Sequence, residues 1–472
     1  MLMTTRLRSL GSVFLVTAWL AAVPWALAQG GAPSEAGPRR ERADASSSPA
    51  PAATPLASPL SLLEALRVAA ERNPQITAAE QRAAAQEELL GKSRGARALN
   101  LRLTAEALRY GELPSSKKSL IGPGDNDILF GVGTSQLLFS ELINGQVDAA
   151  TANAWSALQQ SRRTRQEVAY QVVATYYEVQ RALKRRELDE QMVAQMEAHL
   201  DLARGLFQTG KVAELDVLRA EVQLADGRQR LITSGNAVDI SYQRLRNALG
   251  LEDAAPLQVE ALTSPLLPRW QPSECEDDLL GRAYAQRPEM QAAQAQVARF
   301  QAERRQAAAG LKPQVQAVGN YYREGTSLSL DYDNWYVGLS ISLPLADGQA
   351  TRHAVKASEA LIKAAEADLQ AVQQTVRLEV RDAWLSIREA AERLVAMEAA
   401  IRQAQQALGI EEQGYKLGMN TMLDVLDTQT ALMDAQYNYL DACFAYQSSQ
   451  ARLREATGED ELIASASPPG GE

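Results

Sequence analysis

The sequence predicts a mainly α-helical protein in which long antiparallel coiled-coil hairpins alternate with four short amphipathic strands. Three observations carry this: the second half repeats the first, both halves hold long proline-free stretches, and between those stretches the hydrophobic period drops to two. Glu71-Arg72-Asn73-Pro74-Gln75-Ile76 recurs as Ala285-Gln286-Arg287-Pro288-Glu289-Met290. Phe207-Gln208-Thr209-Gly210, followed by Leu215-Asp216-Val217-Leu218, recurs as Tyr415-Lys416-Leu417-Gly418, followed by Leu423-Asp424-Val425-Leu426. The prolines are offset by 214 (288 minus 74) and the glycines by 208 (418 minus 210), so the register drifts little. A unit of this length exceeds the roughly 20 to 50 residues of solenoid repeats. Each copy is therefore a half-protein of several elements, over 60–255 and 276–458, with 256–275 between them.

Arg6 and Arg8, the apolar run from Leu10 to Val23 and the small-residue site Ala26-Leu27-Ala28 predict a cleaved export signal over 1–28. The apolar run is shorter than the roughly 20 residues of a spanning helix. No cysteine follows closely, so no N-terminal lipid anchor is expected. Residues 29–59, rich in Ala, Pro, Ser and Gly, read as a disordered tether, and 459–472 as a flexible tail. Cys275 and Cys443 are too few for a disulfide scaffold; a bond between them stays open, although Cys443 falls in a helical pattern as a buried small residue would. Aromatic residues make up 6% and Ala, Gln, Glu, Arg and Leu dominate, which fits long packed helices. A net charge of -10 and the lack of a basic stripe with interleaved aromatics exclude nucleic acid as a partner.

No proline occurs between Pro123 and Pro256 or between Pro344 and Pro468, and proline is what breaks a helix interior. Ala383, Ile387, Ala390, Leu394, Met397, Ile401, Ala404 and Leu408 alternate steps of four and three, a coiled-coil seam. The first copy keeps this rhythm at Val172, Tyr176, Val179 and Leu183, then at Val193, Met196, Leu200, Ala203 and Phe207. A helix from about Asn144 to Phe207 would be roughly 95 Å long at 1.5 Å per residue. Each long helix ends near a glycine, Gly210 or Gly418, and a second helical pattern begins at once, giving a hairpin in each copy.

Four strands are expected, at about 99–110, 127–139, 313–322 and 335–345. Leu99 to Ala107 alternates apolar and polar residues without exception, and Trp335 to Leu343 nearly does. Phe130 and Val132, with Val315, Ala317 and Tyr321, extend one oily face. Strands of roughly nine to eleven residues cross a bilayer. The alternation fits either a transmembrane barrel or an antiparallel sheet covered on one face by helices; polar faces carrying Arg102, Glu106 and Gln316 suit a watery lumen. Gly111 to Asn126 and Arg323 to Asn334, rich in Gly, Ser, Lys and Asp, read as exposed loops. Four strands cannot close a barrel, so a barrel requires several chains.

These residues resemble the TolC-type outer-membrane efflux proteins from Leu60 to about Gly458. The motifs that carry the resemblance are RPEMQAAQAQVARFQAERRQAAAGLKPQV from Arg287, SISLPLADGQ from Ser340 and GYKLGMNTMLDVLDTQTALMDAQ from Gly414. The resemblance implies a homotrimer in the outer membrane, with three chains giving four strands each to one twelve-stranded barrel above a periplasmic α-helical tunnel. It also implies docking with a periplasmic adaptor protein and an inner-membrane efflux pump of RND or ABC type. The duct would then be a passive exit for small molecules such as drugs or metals. The outer-membrane duct of a type I protein secretion system is the alternative within the same fold, and a soluble periplasmic coiled-coil scaffold is the alternative outside it.

By position in the family, the hairpin tips form the periplasmic aperture. Asp424 and Asp427 would present carboxylates there, two acidic rings in a trimer, with some members of raised pKa; as first-turn acids, they would equally serve as helix caps. Tyr415 and Asp216 match positions that join neighbouring hairpins, so a hydrogen bond between them is expected. Asn420 stands where some relatives carry an arginine that helps lock the entrance, which implies a differently built latch. His199 and His353, the only histidines, read as seam or surface residues and not as metal ligands. No phosphate loop or nucleophile elbow is present, so neither catalysis nor a cofactor is expected.

Overall fold

The computed structural model describes residues 59–109, 126–251, 257–260, 275–325, 330 and 332–459. The export signal, the tether and most of the tail and inter-repeat segment lie outside the described residues, as do the tips of both strand loops. Each repeat opens with two helices, α1 (Leu62–Arg72) and α2 (Pro74–Gly95) in the first. Strands β1 (Asn100–Arg109) and β2 (Asn126–Ser140) follow, then the long hairpin α3 (Glu141–Gln208) and α4 (Glu214–Leu249). The second repeat runs α5 (Glu276–Gln286), α6 (Pro288–Ala308), a 3-10 turn at Ala309–Leu311, β3 (Gln314–Gly325), β4 (Tyr332–Ser342), α7 (Ala350–Lys416) and α8 (Met422–Thr457). The long helices have 68 and 67 residues and the returning helices 36 each, so the duplication holds element by element.

Proline places the break inside each opening helix pair. Pro74 and Pro288 stand at the first helical position, where the missing N–H costs nothing, and push the preceding residue into extended backbone. In the first repeat that residue is Asn73, whose Oδ1 accepts from Gln75 N at 2.8 Å and whose Nδ2 donates to Ala248 O at 2.8 Å. The corner thereby caps the end of α4, where Gly250 sits at φ +71. A Cβ on Gly250 would lie 2.7 Å from Arg72 O, so only glycine allows this approach. The equivalent residue of the second repeat is Arg287, packed against Gly458 at the end of α8.

The four strands form one antiparallel sheet in the order β1-β2-β3-β4, and the β2–β3 ladder joins the two repeats. Register aligns the alternation across all four. Leu103, Val132, Tyr321 and Trp335 share one row, and Leu101, Thr134, Gly319 and Val337 the next. The opposite face carries Arg102, Thr104 and Glu106 with Asn320, Tyr322, Asn334 and Tyr336. The first face is mainly oily, with Thr134 and Gln136 of β2 as its polar members toward the helices and the Arg323–Asp333 pair toward the loop end. Strand β3 runs on to Gly325 and β4 begins at Tyr332, because the ladder continues into the segment read as loop. Strand β4 ends at Ser342, short of the expected 345, where Pro344 cannot donate to a ladder.

Helix α3 packs against α2, α4, α6 and α8, while α7 packs against α6 and α8. One core, around Leu66, Val172, Tyr176, Val179, Leu245 and Leu249, lies beside the Leu60–Val259 bridge, where Tyr176 donates its hydroxyl to Leu60 O at 3.1 Å. A second core fills the hairpin tips with Met196, Leu200, Ala203, Leu224, Leu408, Met422 and Leu426. Phe207, expected in the seam, is 44% exposed. It sits in the last turn of α3, and Leu206 and Val212 close the core in its place. The α7 seam is buried at Ala383, Ile387, Ala390 and Leu408 and half-buried from Leu394 to Ala404. Among the described residues both cysteines are free, Cys275 exposed and Cys443 buried.

Candidate functional site at the hairpin tips

Both hairpins turn in the same way, on a glycine in left-handed backbone. Gly210 at φ +69 donates to Phe207 O and Lys211 N to Leu206 O, each at 2.9 Å. Gly418 at φ +73 donates to Tyr415 O at 3.0 Å and Met419 N to Gly414 O at 2.9 Å. These are Schellman closures, which satisfy the last helical carbonyls. The two returning helices start differently. Helix α4 has no side-chain cap at Ala213, whereas α8 opens with a reciprocal box between Thr421 and Asp424.

That box defines the state of Asp424. Its Oδ2 accepts from Thr421 N at 2.9 Å and from Thr421 Oγ1 at 2.7 Å, and these bonds hold the carboxyl below the usual carboxylate range. In the single chain the shift is therefore opposite to the one expected from a crowded ring. Asp427 lies exposed one turn further on, so both acids stand on the solvent side of α8. Asn420 turns back on its own hairpin, donating to Glu411 Oε2 at 2.5 Å. Gly414 makes room for it, since a Cβ there would lie 2.6 Å from Asn420 Cγ.

The expected hydrogen bond between Tyr415 and Asp216 is not formed. Tyr415 is buried in the tip core and its hydroxyl has no hydrogen-bond partner; burial, and then the charge of Asp216, push its pKa up. Asp216 lies in the first turn of α4, where a negative charge is favoured, with Arg219 NH1 3.9 Å away.

Two polar residues lie beside this core, His199, expected in the seam or at the surface, and Gln429, which the sequence did not single out. His199 of α3 is buried as a seam residue, with Nε2 3.6 Å from Glu412 Oε1 on α7, which Gln195 Nε2 also approaches at 3.5 Å. Burial pushes the His199 pKa down, against the pull of Glu412 and together with Lys416. Gln429 of α8 is buried with neither amide atom partnered. It could have been found as the one polar residue in the apolar spacing Met422, Val425, Leu426, Leu432; the His199–Glu412 approach joins two repeats and has no local signature.

Because folding lowers the His199 pKa, an opened tip binds the proton more readily than the packed one. This contribution to packing is complete above the ordinary histidine value of about 6.5 and is lost as pH falls from there toward the lowered value. Intrinsic-rate-corrected hydrogen exchange at the tips should be faster at about pH 5.5 than at about pH 7.5, and His199→Gln should flatten the difference. The same pH response in the variant would assign it to another group.

His353 is exposed near the start of α7. Among the described residues no three His, Cys, Asp or Glu side chains are grouped to hold a metal ion.

The family model described as outer membrane efflux protein matches residues 65–251 and 279–459, thus most of both repeats. The chain belongs to the outer membrane efflux protein family. Outer membrane protein TolC of Vibrio cholerae is 27% identical to this efflux protein over 405 residues, covering 84% of this chain and 90% of that one. Outer membrane efflux protein BepC of Brucella suis is 24% identical over 341 residues, or 68% and 72% of the two chains. Among solved structures, CusC superposes with a TM-score of 0.75 at 17% identity, covering 84% of this chain and 92% of that one. VceC from Vibrio cholerae gives 0.73 at 20% identity, covering 84% and 96%. The efflux protein is thus a channel component of the outer membrane that extends into the periplasm, and it is not an enzyme.

Proposed function

We propose that three copies of this chain close one twelve-stranded barrel, β1 of each pairing with β4 of the next, and that their hairpins form a periplasmic tunnel. The observation that carries this is the sheet: one face is mainly oily across all four strands, yet β1 and β4 pair with nothing else among the described residues. Open edges are not tolerated in hydrocarbon, and closure between chains removes them. In this reading 1–28 is removed on export, 60–255 and 276–458 are the two repeats, and the tips meet a periplasmic adaptor and an inner-membrane pump of RND or ABC type. Small molecules such as drugs or metals leave passively, driven by that pump.

Asp424 and Asp427 line the aperture in this assembly, with Asp216, Tyr415 and Asn420 around it. Native mass spectrometry followed by planar-bilayer recording tests the whole reading: a trimer with cation-selective openings is expected, and a monomer that never inserts would overturn it. Asp424→Lys with Asp427→Lys should abolish the cation preference; unchanged selectivity would remove both acids from the aperture.

A further inference from the structure

The polar face of the sheet carries a block of four side chains unlike the rest of that face. Asn320 and Tyr322 on β3 stand directly opposite Tyr336 and Asn334 on β4. Asn320 Nδ2 donates to the Tyr336 hydroxyl at 2.5 Å, and Asn334 Nδ2 donates to the Tyr322 hydroxyl at 3.0 Å. Each strand thus contributes one phenol and one amide, and each phenol is tied across the ladder. A tyrosine facing water needs no such partner; the amides fix where the rings lie.

Strand β2 shows why they lie along the wall. Gly131 is paired with Tyr322 and Gly133 with Asn320. A Cβ on Gly131 would sit 2.8 Å from Tyr322 Cβ, and one on Gly133 would sit 2.6 Å from Asn320 Oδ1, so side chains there would displace both. Tyr322 is therefore held at its base over bare β2 backbone and at its hydroxyl by β4, with its ring lying across the β3–β4 pair. Tyr336 spans the same pair in the opposite direction. The row beyond Tyr322, toward the β3–β4 loop, holds Glu106, Leu129 and Glu324. Arg102 shares the row of Asn320 and Tyr336 but stands on β1, two strands from Asn320. Each chain sets two carboxylates against one guanidinium on this face, beside ring faces that are themselves electron-rich, and this balance favours a positive ligand.

We infer that Tyr322 and Tyr336 are cargo-contacting residues, an aromatic belt pinned inside the barrel that stacks flat aromatic cations as they pass. The inference rests on the duct reading, which puts the polar face toward the lumen and gives a trimer six such rings. In that setting Gly131 and Gly133 set how far the belt projects, and Asn320 and Asn334 keep it from swinging into the passage.

Paraquat, a flat, water-soluble aromatic dication, is the probe, titrated into the processed protein in lipid nanodiscs. Replacing both rings, Tyr322→Leu with Tyr336→Leu, should weaken binding roughly tenfold, from the loss of two exposed cation–ring contacts. Tyr322→Phe with Tyr336→Phe keeps the ring faces but removes both amide pins, so it should lose only part of that affinity, whereas a purely structural role of the hydroxyl pairs would make it as damaging as the leucine pair. Unchanged affinity in the leucine variant, no binding to the parent, or equal binding of naphthalene disulfonate would overturn the belt. Conductance of the same preparations reads the duct separately: a conducting trimer with unchanged paraquat binding overturns the belt alone, whereas a protein that neither trimerises nor conducts overturns the duct reading and the belt with it.

Discussion

Replacing Arg287 with alanine is expected to destabilise the protein by about 1.5–3 kcal/mol, the range for hydrogen bonds to charged groups, because Arg287 is buried while its partners Glu289 and Glu379 are 22% and 40% exposed. Arg287 is 2% exposed and pairs through one guanidinium nitrogen with both Glu289 and Glu379, while Nε and the other terminal nitrogen have no hydrogen-bond partner. Arg163 joins the same Glu289 at 2.5 Å and Glu167 at 2.7 Å. Burial already holds the Glu455 carboxyl above the usual range, against the pull of Arg163 and Arg287. Without Arg287, Arg163 alone would face these carboxylates, and α3, α6, α7 and α8 would meet around uncompensated charge. Asn73, at the matching corner of the first repeat, makes neutral bonds only, so Asn73→Ala should cost about 1–2 kcal/mol. Denaturant midpoints of the two variants decide the point; equal losses would mean that the cluster adds nothing beyond a helix cap.

Val337→Arg should cost about 2–4 kcal/mol per chain and sharply reduce folded protein in the outer membrane, the penalty for a charge on a lipid-facing barrel position near the midplane. Val337 is the central residue of β4 and 76% exposed, in a row with Leu101, Thr134 and Gly319. Ser340→Arg, three residues along the same strand on the other face, should be nearly silent. Gel mobility of unheated samples, read beside outer-membrane fractionation, separates the cases. A harmless Val337→Arg with a damaging Ser340→Arg would invert the faces of the sheet.

Much of this architecture was legible along the chain because local physics writes it there. Absence of proline licensed helices of 68 and 67 residues, and alternation from Leu101 to Ala107 and from Trp335 to Ile341 marked strands with one oily face. Gly210 and Gly418 marked the two turns, since left-handed backbone there favours glycine. Spacing from Gly210 and Gly418 puts Asp216, Tyr415, Asn420 and Asp424 beside the turns, but it does not show how they are bonded. Asp424 could be read as a cap from Thr421 three residues earlier; that Tyr415 would be buried with a lone hydroxyl and Asp216 turn toward Arg219 could not.

By itself the sequence determined the twofold repeat, the helix lengths, the strand faces and the turn positions, because each follows from spacings of two to four residues or from a residue that forbids a conformation. Only the tertiary structure decided that β2 pairs with β3 across the repeats, that Arg287 meets Glu379, that His199 meets Glu412 and that Tyr322 lies over Gly131. Those partners are about 90 to 210 residues apart. No local rule selects them, since many helix faces of similar oiliness compete and the choice is made by the whole set of surfaces that must be buried together.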